Sequence, residues 1–183
     1  CDIGEALLKL RRQMTWEKAP VNDFFHATED KQEIRDRVFE TIRQTRLRVD
    51  ATILEKSKAQ PHVRASKELF YKYAWYYHFK HIGPQIAARA DELHLTTASV
   101  GTKKGQAIFT AAVNDVVQQV IRGATYVTTF AQSACDPCLQ VADYCTWAIQ
   151  RKWERSDERS YRLIQPNLAT EYNLWRTGSV HYY

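Results

Sequence analysis

Apolar and polar positions along this chain of 183 residues switch between a helical period and a strand period, and the switches outline its elements. Residues 4–14 set Ala6, Leu7 and Leu10 on one side and Lys9, Arg11 and Arg12 around the other, the spacing of an amphipathic helix. The run VNDFFHAT, residues 21–28, is short and apolar and predicts a strand. Thr28 then stands where it can cap a helix over 29–45, with Glu29 and Asp30 at the positive end of its dipole. Residues 47–54 alternate and then turn continuously apolar, a second strand. A loop over 55–64 leads into a long helix from 63 to about 89, disturbed at Gly83 and Pro84. The β-branched run 93–100 predicts another strand. A helix over 104–122 follows, with Ile108, Ala111, Ala112, Val116 and Val120 at helical spacing, and Gly123 ends it. Residues 124–131 read as a strand, one more helix starts at Asp136, and 161–183 carries mixed signals. Strands alternating with helices predict an α/β domain with a central sheet.

Length and composition narrow the class. A chain of this size can bury a sizeable core, so one domain over 1–183 is expected, with 156–183 as a C-terminal extension. With 44% hydrophobic and 26% charged residues, long disorder and repeat architectures are excluded. The aromatic stretch 69–82 is interrupted by Lys72, His78, Lys80 and His81, so no membrane span is expected. The net charge of +5 is gathered at Lys9, Arg11 and Arg12 and again across Arg35, Arg37, Arg43, Arg46 and Arg48. Nucleic acid is a compatible partner for such a surplus, and so is plain solvent. Four cysteines, Cys1, Cys135, Cys138 and Cys145, are too few and too clustered for a secreted disulfide framework, which leads to the expectation of a reducing, cytoplasmic setting.

The stretch SACDPCLQVADYCTWAIQRKWER, residues 133–155, holds most of the candidate chemistry. Asp136 followed by Pro137 is a helix start, an N-cap and then a proline in the first turn. That start fixes the register. Asp136, Gln140, Asp143, Trp147, Arg151 and Glu154 fall on one side, and Leu139, Ala142, Cys145, Ala148, Ile149 and Trp153 fill the remaining arc. A half-buried carboxylate in such a stripe needs a balancing partner, and a divalent cation is one. Asp136 and Asp143 are separated by roughly 10 Å of helix rise, too far to be assumed ligands of one metal. Cys135 and Cys138 form C-x-x-C, but a structural zinc site needs a second pair, and Asp136 between them opposes a low-pKa thiolate.

The same stretch closely resembles the C-terminal signature of a bacterial family of unknown function, DUF3800, which reads D-P-x-L-Q-x-A-D-x-x-x-x-A-x-x-R-K-x-E. Asp136, Pro137, Leu139, Gln140, Ala142, Asp143, Ala148, Arg151, Lys152 and Glu154 match it. FFHATED, ATILEKSK, KELFYKY and SVGTKKGQAIFTAAV follow the family's order, so the likeness spans about 24–154. The resemblance implies an RNase-H-like fold, a mixed central sheet flanked by helices, and acidic residues that hold Mg or Mn for phosphodiester cleavage. It makes Asp143, with Asp136 second, the metal and catalytic carboxylates, and His26 and Lys56 further catalytic candidates for contact with phosphate or a leaving group. Gln140, Arg151 and Lys103 become candidate substrate contacts. Family members begin with a strand bearing Asp-Glu-Ser, and no such segment precedes CDIGEALLKL. Thr96, Thr97 and Ser99 stand where an acidic residue on a central strand would serve. The expectation is therefore a fold lacking its N-terminal strand, with an incomplete metal site.

ELFYKYAWYYHFKHIG places Phe70, Tyr71, Tyr73, Trp75, Tyr76, Tyr77 and Phe79 on one helix. Such rings can stack on exposed bases, with Arg64, Lys72 and Lys80 near phosphate, or can pack on a sheet or a subunit. His78 and His81 lack the accompanying Glu of a metalloprotease motif and take no role. Two functions remain in view: a metal-dependent nuclease or nucleic-acid-processing protein, and a non-catalytic subunit that keeps the fold and binds a protein partner or a second copy through residues 69–82.

Overall fold

The amphipathic helix at the start of the chain forms as α1, Asp2–Trp16, and buries Ile3, Leu7 and Met14. The computed structural model describes residues 2–87, 92–98, 103–120 and 125–176. The remaining elements follow as α2 (Gln32–Gln44), β1 (Val49–Ile53), α3 (Pro61–Ala65), α4 (Lys67–Ala87), β2 (Glu92–Ala98), α5 (Lys103–Val120), β3 (Thr125–Ala131), α6 (Pro137–Arg155), α7 (Arg159–Ile164) and β4 (Leu168–Asn173). The fold is mixed α/β, and no helix of the described residues is long and apolar enough to cross a membrane. The chain separates into two compact units, Cys1–Val49 with Ala131–Ala169, and Asp50–Phe130 with Thr170–Tyr183.

The first unit is helical. Ile34, Val38, Phe39 and Ile42 from α2, Val141, Tyr144, Cys145, Ala148 and Ile149 from α6, and Tyr161 and Ile164 from α7 are buried with the inward face of α1. The helices are amphipathic, so joining their apolar stripes is what drives the unit together. Phe39 and Tyr144 meet edge to face at 5.1 Å. α6 begins as its sequence predicts, with the Asp136 carboxylate accepting from the amides of Cys138 and Leu139 at 2.8 and 3.2 Å. It ends at Ser156, whose left-handed φ of 54° lets its amide and the next return to the last carbonyls.

The predicted strand over 21–28 does not form. Phe25 and Ala27 are buried, which produces a strand-like apolar spacing, but their amides and that of His26 bond to side chains rather than to a neighbouring strand. Nor does Thr28 cap a helix: α2 starts at Gln32 behind Lys31, which makes no side-chain cap.

The second unit carries the strands, in two parallel pairs, β1 with β4 and β2 with β3, rather than one continuous sheet among the described residues. Thr170 Oγ1 donates to Asp50 at 2.8 Å and the amide of Leu174 to the carbonyl of Ile53 at 3.1 Å, tying β1 to β4 and the residues after it. α4 spends its rings on packing. Phe79 and Ile82 are buried with Val113, Val116 and Val117 of α5, and Trp75 and Tyr76 lie against them. Trp75 stacks on Phe79 at 5.3 Å, and His81 on Tyr172 of β4 at 4.4 Å. Pro84 is held inside α4, which runs on to Ala87.

Candidate active site

The site is built on one face of α6 and the loop before α2, all within the first unit. Gln140, one turn after the cap, is buried; its Oε1 accepts from the Phe25 amide at 3.3 Å and its Nε2 donates to the Ser133 carbonyl at 2.9 Å. Asp143, one turn further, accepts from the Ala27 amide at 2.8 Å through Oδ2. His26 lies beside it, Nδ1 to Oδ2 at 3.7 Å, with the two side chains 34% and 35% exposed. The Thr28 amide points at the same ring nitrogen from 3.3 Å. Oδ1 of Asp143 has no partner among the described residues.

Below this pair sits a buried carboxylate. Asp30 is only 3% exposed and accepts from the His26 amide at 2.9 Å, from Asn22 Nδ2 at 3.1 Å, and from the Tyr144 hydroxyl in a short hydrogen bond. Burial first, and then the Asp30 carboxylate, hold the Tyr144 hydroxyl well above the usual phenol range, so it remains a donor. Arg35 supplies a positive charge, its Nη1 donating to the carbonyls of Ala27 and Asp30 at 2.9 and 2.6 Å. Its guanidinium also lies over the Trp147 ring at 4.9 Å, and Arg151 lies over the same ring at 5.4 Å. Loop 22–30 is therefore fixed at its amides by Asp30, Gln140 and Asp143 and at its carbonyls by Arg35, a preorganised support for His26.

Three of the sequence candidates, His26, Gln140 and Asp143, thus come together. Asp136 stays at the helix start, its Oδ1 engaged with two amides. Arg151 is held by Asp157, Nε and Nη2 to Oδ2 at 3.1 and 2.7 Å, and that guanidinium, with the Arg159 amide, lowers the Asp157 carboxyl below its ordinary value. Lys56 lies in the second unit in a short 3-10 turn, exposed, its Nζ 5.8 Å over the Phe70 ring. Lys103 opens α5, and its side chain lies outside the described residues. Sequence reasoning missed Asp30 and Tyr144. The signal for Asp30 was present, since an acid after a small-residue turn is a candidate acceptor for loop amides as well as a dipole partner.

Among the described residues no three His, Cys, Asp or Glu side chains gather as metal ligands. Cys135 and Cys138 form no disulfide among the described residues; burial, and then Asp136, raise the Cys138 thiol above its ordinary value, the direction expected from the intervening acid. Comparison with protein-family models, with curated proteins and with solved structures returns no match.

Proposed function

We propose that this chain is a nucleic-acid-processing protein of the RNase-H-like, DUF3800 kind, acting on phosphodiester bonds at the pair His26 and Asp143. The observation that carries the reading is the convergence of these two half-exposed side chains, 3.7 Å apart, on the helix that holds the Asp-Pro-x-Leu-Gln-x-Ala-Asp run. The chemistry follows from their hydrogen bonds. Because Nδ1 of His26 receives the Thr28 amide, the neutral ring carries its proton on Nε2, a donor that can hydrogen-bond a phosphate or leaving oxygen, and only the imidazolium form can give a proton to that oxygen and return to the neutral ring. Asp143 is held at Oδ2 by the Ala27 amide, which leaves Oδ1 to orient an attacking water and take its proton. Gln140, bonded at both ends, positions the loop rather than touching substrate.

Mg or Mn belongs to the same reading, since Mg bound largely through substrate phosphates needs only one or two protein carboxylates. Asp143 Oδ1 is the one carboxylate oxygen of the pair that would be open to it, and a cation held there would take the place of the proton-accepting role given to Oδ1 above. Asp136 is committed to its helix, so these residues do not amount to a preformed cation cage and no step is routed through a metal. The test incubates end-labelled DNA and RNA oligonucleotides, single-stranded and duplex, with Mg, Mn or a chelator. Cleavage by the wild type that falls at least a hundredfold in His26→Ala is expected. Undiminished cleavage in that variant would remove His26 from the chemistry, and none by the wild type under any condition would return the chain to the non-catalytic interaction reading.

A further inference from the structure

The outward face of α1 lines a groove of about 630 Å³ formed by Leu8, Arg11, Arg12, Thr15, Trp16 and Lys18. Trp16 is 89% exposed, unusual for a large ring that normally buries most of its area. Arg11, Arg12 and Lys18 have no side-chain partner among the described residues. The one acid of that segment, Glu17, is already satisfied by Arg37 and by Gln13. The groove therefore presents an uncompensated positive charge around a bare indole.

Lys18 sharpens the point. The amides of Lys18 and Ala19 return to the carbonyls of Thr15 and Met14 at 3.1 and 2.9 Å, a helix stop that places Lys18 at the left-handed position, φ 57°. Glycine occupies that position at least cost. The lysine there is conformationally strained, and it lines the groove.

We propose that this groove binds single-stranded nucleic acid, with a base stacked on Trp16 and phosphates on Arg11, Arg12 and Lys18. The inference rests on the nucleic-acid reading above and deepens it by naming the form of the substrate. A duplex keeps its base faces stacked internally and gives Trp16 nothing to stack on, whereas an unpaired base offers a π-face. A bilayer is the poorer occupant, because Ile3, Leu7 and Met14 are buried and only Leu8 and Trp16 remain exposed as large apolar groups on α1.

The measurement is fluorescence anisotropy of labelled 15-mers of deoxythymidine and of uridine, performed in the Asp143→Asn background so that cleavage does not intervene. Binding is expected, weakened roughly tenfold by Trp16→Ala and little changed by Trp16→Phe. Replacing both Arg11 and Arg12 by Gln should lower the slope of log affinity against log salt by about 1.4. Lys18→Gly should raise Tm and weaken binding together, an outcome a purely structural lysine would not give. Unchanged affinity in Trp16→Ala, equal affinity for a duplex of the same length, preference for phosphatidylserine vesicles, or no binding at all would overturn the proposal. Because the readout is binding, its failure is distinct from loss of cleavage, which reports on His26 and Asp143.

Discussion

A single carboxylate, Asp30, decides how the loop before α2 is held. Its oxygens collect the His26 amide, Asn22 and the Tyr144 hydroxyl in a buried setting, so any donor removed leaves the buried carboxylate one hydrogen bond short. Tyr144→Phe should therefore cost about 1–3 kcal/mol, read as a lower urea midpoint with an unchanged slope. Asp143 was legible in the sequence because Asp136 and Pro137 fix where the helix starts, and counting turns from there puts Asp143 on the polar stripe. The partnership of His26 with it was not legible. It depends on an irregular loop whose amides are received by side chains, and hydrophobic periodicity carries no information about such bonds.

Among the elements, helices read well wherever one face is apolar. α1 buries Leu7, and α6 buries Cys145, Ala148 and Ile149, of the residues their spacing singles out, but Ala142 and Trp153 of the expected packed arc are exposed and Gln140, placed on the polar stripe, is buried. The loop over 21–28 misled because burial of Phe25 and Ala27 at alternate positions has the period of a strand, while the hydrogen bonds go to Asp30, Gln140 and Asp143. In α4, rings on every side gave no preferred face: Trp75, Tyr76 and Phe79 pack with α5, Phe70 and Tyr73 with Ala59, Val63 and Trp175, and Tyr71 is exposed. Asp136 belongs to this scale too, since its visible work is at the helix start. Asp136→Ala should cost about 1 kcal/mol, and Asp136→Ser should recover most of it, by denaturant titration. If the cap is its whole contribution, cleavage by folded Asp136→Ser equals that of the wild type; a hundredfold loss would give Asp136 a part in the chemistry.

For the molecule as a whole, the alternation of strands and helices was legible as α/β, but the pairing of strands was not, because pairing depends on long-range neighbours. The two units also respond to opposite ends of the pH scale. In the first, burial pushes the Cys145 thiol up from 9.0 to about 12 and raises Tyr144 above its ordinary 10.0. Both raised groups contribute stability that is present below about pH 9 and lost as pH rises. In the second, His78 is bonded to Thr52 at 2.9 Å and burial lowers its pKa below 6.5. Its contribution is present above pH 6.5 and lost as pH falls. Thermal melts should show a fall in Tm above pH 9 that is smaller in Cys145→Ala, and a fall below pH 6.5 that is smaller in His78→Gln. Identical pH profiles in variants and wild type would contradict the assignment.

If Asp143 and His26 form the reacting centre, Asp143→Asn is the variant that exposes it. Asparagine keeps an oxygen for the Ala27 amide and so preserves the loop, while removing the charge and the proton acceptor. With Tm unchanged within experimental error, cleavage of labelled single-stranded oligonucleotide should fall at least a hundredfold, with or without added Mn. Cleavage by folded Asp143→Asn at the wild-type rate would contradict the account.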